Sequence, residues 1–535
     1  MKTNIKIFIL GCLAVSMSSC KDYLTAPEPG SVKLEDFFAS KSAAEQTIVG
    51  CYTPLMWEYN RTYFSEWFIG DIVSDDALKG GQNTSDMGAA FDMENWKTTN
   101  RNELLHDFYQ AQYIGIGRCN LAIEYIGAMQ TDTAFTEEVK TELLGEAQFL
   151  RAYYYFRLVR VFKGTPLVLE VLKTDAQWQQ PRATTKAIFD QIILDLKAAQ
   201  KVLPSVKDLK VNQLGHATKG AAEAMLQKVY LYLASPYWNE EVGGDATDYA
   251  KQAKAWGDSI ISSGDYTLVT KYADQFTLEG ENSIESVFEI QYSAVNWGDY
   301  GEGYGYTAGS FTQRLVRSRS DKLTNGDAGW GFNHPTQNLY DEFEEGDIRR
   351  DVAILKPDTN QMVNKTEEIY LGSAYLNNKY GWYGYKIDHD SRGPLNNKQI
   401  RYADVLLMQA EACALSGEGD AASYLNQVRT RAGLPSFGSY TFKVNGVEIT
   451  SPSIEQAIRH ERRVELAMEG HRWFDLVRWK GVEGNGLKAH MEAYQNLESD
   501  EAKSVMGTFR EGVHEIFPIP AEEIELNPMD QNPGY

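Results

Sequence analysis

Most of the chain repeats its apolar residues at helical spacing, and one internal stretch does not. In 137–163, Leu143, Leu144, Ala147, Leu150, Tyr154, Leu158 and Val161 recur at three- and four-residue steps and share one helix face. Gly164 and Pro166 end that pattern. Residues 101–127 carry a second long pattern, and Ser40 to Tyr52 a shorter one built on small residues, after patterning that begins near Leu34. Thr184 to Leu203 is amphipathic and stops at Pro204. His216 to Ala234, a turn at Gly243 and Gly244, and Thr247 to Ser262 read as a helix hairpin. The same plan returns at Arg401 to Leu415, Gly417 and Gly419, and Ala421 to Ala432.

Small residues on these helices let their backbones approach closely. Stacked helix pairs of this size resemble tetratricopeptide repeats without their strict consensus spacing. The fold class expected is therefore mainly α: a tetratricopeptide-like scaffold of about four helix pairs, interrupted by an insertion. The insertion is 265–400, where helical periodicity fades and few short strands are expected, among them Ser286 to Tyr292. Aromatic and glycine residues crowd it, from Trp297 to Gly309 and again at Trp330, Tyr340, Tyr370, Tyr375, Tyr380, Trp382, Tyr383 and Tyr385. Loops on a rigid scaffold are where binding groups tend to sit. The organisation expected is 1–19 as a secretion signal, 20–33 as a tether, 34–264 and 401–535 as scaffold, and 265–400 as a loop-rich binding region.

The first residues change the picture. Lys2 and Lys6 precede an apolar run, Ile7 to Val15, too short to span a bilayer. Ser18 and Ser19 then lead into Cys20, a run that resembles the bacterial lipobox, in which the cysteine is acylated and becomes the mature N-terminus. The 52 basic residues face 74 acidic ones, a formal net charge of −22. That field repels nucleic acid and anionic lipid but does not hinder a neutral sugar. Five widely spaced cysteines make no CxxC pair and imply neither a zinc site nor a dense disulfide framework.

Candidate chemistry is sparse. Glu461, Arg462, Arg463, Glu465, Glu469, Arg472, Asp475 and Arg478 are expected to share one helix as a hydrogen-bonded ion network. Their guanidinium neighbours would keep the carboxylates ionised and unfit as general acids. His460 and His471, about three turns apart on that helix, would stack on one face, but no carboxylate triad or HExxH accompanies them and no metal site is expected. Gly303-x-Gly305-x-x-Ala308 lacks the strand and helix start that a phosphate cradle needs, and no cofactor is expected. Gly70 to Asp76, with three acids, lacks the EF-hand pattern and reads as a capped turn. The best ligand candidate is Trp297-Gly298-Asp299-Tyr300-Gly301-Glu302-Gly303-Tyr304. Flat rings stack on the apolar faces of sugars, and Asp299 can accept their hydroxyl hydrogens. Trp330 extends such a platform, and Trp96 with Asn100 is a further candidate, whereas Trp473 and Trp479 read as core.

Several segments, in order, resemble the SusD/RagB family of outer-membrane nutrient-binding lipoproteins. They are Cys20-Lys21-Asp22-Tyr23-Leu24, Gly145 to Phe156 followed by Gly164-Thr165-Pro166-Leu167, Arg401 to Met408, Leu425 to Arg429, Glu461 to Leu476, and Phe517-Pro518-Ile519-Pro520 with Asn532-Pro533-Gly534-Tyr535. The resemblance runs from Cys20 to Tyr535. It implies a tetratricopeptide-like half and a variable, loop-rich half. It also implies a role without catalysis: a lipoprotein held in the outer membrane through acylated Cys20, facing the exterior, that captures oligosaccharide or polysaccharide. The captured ligand would pass to a SusC-like TonB-dependent barrel. The segment holding Trp96 and Asn100 corresponds to one that carries sugar contacts in some members. Other members take peptide, so a peptide-binding lid is the alternative; a glycoside hydrolase is a third reading, for which no motif isolates a carboxylate pair.

Overall fold

A computed structural model describes residues 37–57, 66–295, 309–319, 327–356, 369–373, 375–381, 386–387, 390, 392–438, 440–482 and 486–535. Among the described residues, eight helices form the scaffold: α1 (Lys41–Tyr52), α2 (Glu103–Ala128), α3 (Glu137–Phe162), α4 (Thr185–Val202), α5 (Lys219–Ala234), α6 (Ala246–Ser262), α7 (Tyr402–Ser416) and α8 (Ala421–Arg431). Each packs on the next in chain order, giving four pairs in an arc. Local chemistry sets where they begin. The side chains of Ser40, Asn102, Thr136, Thr184, Thr218, Asp245 and Asp420 cap the first-turn N–H groups of α1 to α6 and α8. α7 instead runs straight out of a strand and ends at left-handed Gly417.

Small residues allow close approach at two decisive points. A Cβ on Gly115 of α2 would stand 2.4 Å from the Tyr154 ring of α3. One on Gly257 of α6 would stand 1.9 Å from Gln409 Oε1 of α7 and 2.3 Å from Gln227 Nε2 of α5.

Between 265 and 400 the described helices are no longer than six residues. Among the described residues there are four two-stranded antiparallel ribbons: β1 (Ala77–Gly80) with β3 (Phe332–Pro335), β2 (Ser286–Ile290) with β6 (Asn397–Arg401), β4 (Ile354–Leu355) with β5 (Leu376–Asn377), and β7 (Thr441–Val444) with β8 (Val447–Thr450). The β2–β6 ribbon closes the two ends of this excursion, and β6 leads directly into α7. No helix among the described residues is long and apolar enough to cross a membrane.

The charged run after residue 453 departs from the single helix expected. It forms α9 (Ile454–Glu465) and α10 (Arg472–Trp479), separated by a break in which Met468 and Gly470 have positive φ. His460 and His471 therefore do not stack on one face. His460 lies 3.1 Å from Glu342 and 3.4 Å from Glu344, with its ring on Phe442, while His471 sits in the break. Gly70 packs against this break so closely that a Cβ there would stand 2.0 Å from the Gly470 carbonyl oxygen. Trp473 and Trp479 are core.

The ion network is denser than the run alone implies. Arg463 bonds Asp76 at 2.8 Å and Glu342 at 3.0 Å, and Arg472 grips Asp75 with two hydrogen bonds of 2.7 and 2.8 Å. The Gly70 to Asp76 stretch is a turn that is buried throughout, and through Asp75 and Asp76 it anchors these arginines. Arg401 bonds Glu285, Glu465 and Glu469, tying β6 to the segment before β2, to α9 and to the break. Burial alone would raise the pKa of Glu465, but Arg431, Arg401 and Arg349 outweigh it and hold the carboxyl well below the usual range. Burial likewise raises Asp404, and Lys228 and Arg462 reverse the effect.

Candidate functional site

The site is built at the β1–β3 ribbon. Ala77 pairs with Pro335, Leu78 with His334 and Gly80 with Phe332, and beyond the ribbon the Gly81 N–H donates to the Gly331 carbonyl at 2.6 Å. Gly80 and Gly81 both have φ of +77°, and a Cβ on Gly80 would stand 2.5 Å from that same carbonyl oxygen. The close approach fixes the loop 81–87 alongside Gly329-Trp330-Gly331.

Lys79 holds that loop from within. The side chain is fully buried, and its ammonium donates to the carbonyls of Gly80 (2.8 Å), Asn83 (3.0 Å) and Asp86 (2.5 Å). It lies 4.9 Å from the Tyr370 ring centre and 5.3 Å from that of Phe332. Burial pushes its pKa down to about 8, opposed by Glu94 and Asp86. Gln82, Asn83 and Ser85 lie at the loop tip, all three exposed.

Trp330 is half-buried, its ring centre 6.2 Å from that of Phe311, and its backbone N–H donates to the Arg314 carbonyl at 2.9 Å. Beneath it, Arg314 and Arg317 both pair with Asp327, whose carboxylate also accepts the Ile387 N–H at 2.8 Å. The aromatic run holding Trp297, Asp299, Tyr300 and Tyr304 lies outside the described residues. Its flanks are anchored: the Tyr292 N–H donates to Asn396 Oδ1 at 2.8 Å, and Ser310 bridges Gly393.

Trp96 is turned inward. It has φ of +51°, is 8% exposed, and meets Phe509 edge-on at 5.3 Å. Asn100 is half-buried, and its carbonyl accepts the Ala521 N–H at 2.7 Å. This segment connects to Lys79 through Glu94, which accepts the Lys79 N–H at 3.0 Å and is raised to about 7 by burial. Trp330 and the 81–87 loop therefore share one edge, while Trp96 lies behind it. Cys20, the expected point of acylation, lies outside the described residues. Among the described residues no group of three or more His, Cys, Asp or Glu is arranged to hold a metal ion.

Comparison with known proteins fits this layout. A family model described as "Starch-binding associating with outer membrane" matches residues 22–231, and one described as "SusD family" matches 284–535. The chain belongs to the SusD family. A SusD-like protein of Bacteroides ovatus is 26% identical over 503 residues, covering 89% of this chain and 82% of the relative. SusD-like protein P2 of Formosa agariphila is 25% identical over 552 residues, 98% of each chain. Among solved structures, a laminarin binding SusD-like protein aligns with a TM-score of 0.74 at 27% identity, covering 93% of this chain and all of that one. Surface glycan-binding protein A from Bacteroides uniformis aligns with a TM-score of 0.76 at 25% identity, covering 92% and 99%. The eight-helix arc is the tetratricopeptide-like fold this chain shares with these structures.

Sequence reasoning named Trp330 as a candidate and did not name the loop that the structure sets beside it. The signal was Lys79-Gly80-Gly81-Gln82-Asn83, a turn sequence after a short apolar run. Nothing in it reveals that the lysine points back under its own loop.

Proposed function

We propose that the protein is a surface lipoprotein that binds oligosaccharide or polysaccharide and delivers it to a SusC-like TonB-dependent barrel in the outer membrane. The observation that carries this reading is full-length likeness, in sequence and fold, to a laminarin binding SusD-like protein. The Trp330 edge supports it: a tryptophan on a rigid base, beside amide and hydroxyl side chains at a loop tip, suits a sugar ring and its hydroxyls. In this reading 265–400 is the ligand-binding region, and Trp297, Tyr300, Tyr304 and Asp299 continue the platform. Acylated Cys20 anchors the molecule with its ligand face outward. In this reading the protein acts by binding, and the arginines that hold Glu465, Glu469 and Asp475 ionised make those carboxylates poor general acids.

Isothermal titration with neutral glycans, laminarin included, tests the reading. Trp330→Ala and Trp297→Ala are expected to weaken binding about tenfold each with thermal midpoints little changed. Unchanged affinity in both variants removes the platform from the site, and binding of peptides with no glycan binding replaces the ligand class. New reducing ends on incubation with polysaccharide would show an enzyme instead.

A further inference from the structure

A second cleft lies on the scaffold, built from residues that share nothing with the Trp330 edge. Its floor is Tyr109, Tyr113 and Ile116 of α2, one wall is the segment Pro166 to Leu172 after α3, and the other is the C-terminal segment from Glu523 to Met529. Its volume is about 530 Å³, within the range of roughly 300–1,000 Å³ that small-molecule sites occupy. Trp178 stands at the lip at the end of a short helix, Asp175–Trp178. It is 63% exposed, and no other tryptophan among the described residues is left so open. Leu526 faces solvent on the opposite side at 75%.

The polar groups of the lining tell what it can hold. No lysine or arginine lines it. Each lining amide uses one of its two N–H groups within the chain: Asn527 Nδ2 donates to the Gln180 carbonyl at 2.5 Å, and Gln180 Nε2 donates to the Gln177 carbonyl at 2.8 Å. Tyr113 gives its hydroxyl hydrogen to the Pro166 carbonyl at 2.6 Å. The lining is neutral or acidic and richer in acceptors than donors: the amides of Gln180 and Asn527, and the carboxylates of Glu170, which takes one bond from Gln177 at 3.2 Å, and Glu523, which lies 3.4 Å from His106. Such a rim repels phosphates and carboxylates, and it leaves a purely hydrocarbon ligand facing unsatisfied acceptors. It suits a neutral molecule with an apolar face and several hydroxyl donors.

We propose that this cleft is a second glycan site, in which a sugar ring stacks on Trp178 and donates its hydroxyl hydrogens to Gln180, Asn527 and Glu170. The inference rests on the glycan-binding reading above and adds a separate place on the molecule. Two sites on one rigid scaffold hold a polymer more tightly than either alone, because the second contact is intramolecular.

The test is calorimetry on the mature chain with cellohexaose, maltohexaose and laminarihexaose as probes, together with retardation of the protein in gels containing the matching polysaccharide. Wild-type protein is expected to take up two hexasaccharides per chain. Trp178→Ala should leave one, and should weaken polysaccharide retardation about tenfold, while Trp330→Ala retains the Trp178 site. Trp178 is exposed, so its replacement should leave the thermal midpoint where it was. A stoichiometry of one in the wild type, or isotherms for Trp178→Ala that superimpose on it, overturns the second site and leaves the first standing. Loss of all binding in Trp330→Ala also overturns it. No uptake of any neutral glycan by the wild type overturns both readings.

Discussion

Arg401 shows how much of this fold is held at the scale of a single residue. Its guanidinium is buried and divides its N–H groups among Glu285, Glu465 and Glu469, with distances from 2.7 to 3.0 Å. Three carboxylates from three segments depend on it, and all three are buried. Replacing both members of a buried pair by apolar groups can be neutral, but removing one leaves uncompensated charge. Arg401→Met is therefore expected to lower stability by about 3–5 kcal/mol, read from urea unfolding. A loss under about 1 kcal/mol would mean the remaining cations, Arg349, Arg431 and Lys379, carry the site without it. This network was only partly legible in sequence. The run from Glu461 to Arg478 announced charges facing one another, because spacing within a helix is local. Their actual partners, Asp75, Glu342, Arg349 and Arg401, lie far away in the chain, and no local pattern encodes such pairings.

Elements were the most legible level. Seven of the eight scaffold helices start behind a Ser, Thr, Asn or Asp whose side chain bonds the first turn, and such caps are read directly from sequence. The break between α9 and α10 was not visible: Ala467-Met468-Glu469-Gly470 has only one glycine, and it is the contact of Gly70 with Gly470 that demands the bend. β1 and β3 were missed for a similar reason. Each has only four residues, and they become strands only by meeting each other from distant parts of the chain. Gly257 tests the packing argument at this level. With Gln409 and Gln227 hydrogen-bonded to each other at 3.1 Å directly above its Cα, any side chain on Gly257 must displace that pair. Gly257→Val should cost roughly 1–3 kcal/mol and lower the thermal midpoint, whereas Gly417→Asn, at a left-handed cap with open space, should be far milder. Equal effects of the two substitutions would refute the close-packing account.

At the scale of the whole molecule, the question is what keeps the protein at a membrane. The described residues offer no helix able to span one, and the formal charge of −22 opposes adsorption to anionic lipid. Two attachments remain in the proposed reading: acyl chains on Cys20 and the barrel partner. They differ in kind. Acyl chains partition into the bilayer by the burial of methylene groups, and one chain alone binds only marginally, so firm anchoring needs more than one. A protein partner would hold the chain only where that partner is present. Cys20→Ala removes the first attachment and leaves the second intact. Expressed without a barrel, the variant is expected in the soluble fraction, whereas the wild type stays with membranes through a high-salt wash. Co-expressed with the barrel, the variant should return to the membrane fraction in proportion to the barrel present. A Cys20→Ala protein that remains in membranes without the barrel would mean that some other part of the chain binds lipid, and the anchor would have to be sought elsewhere.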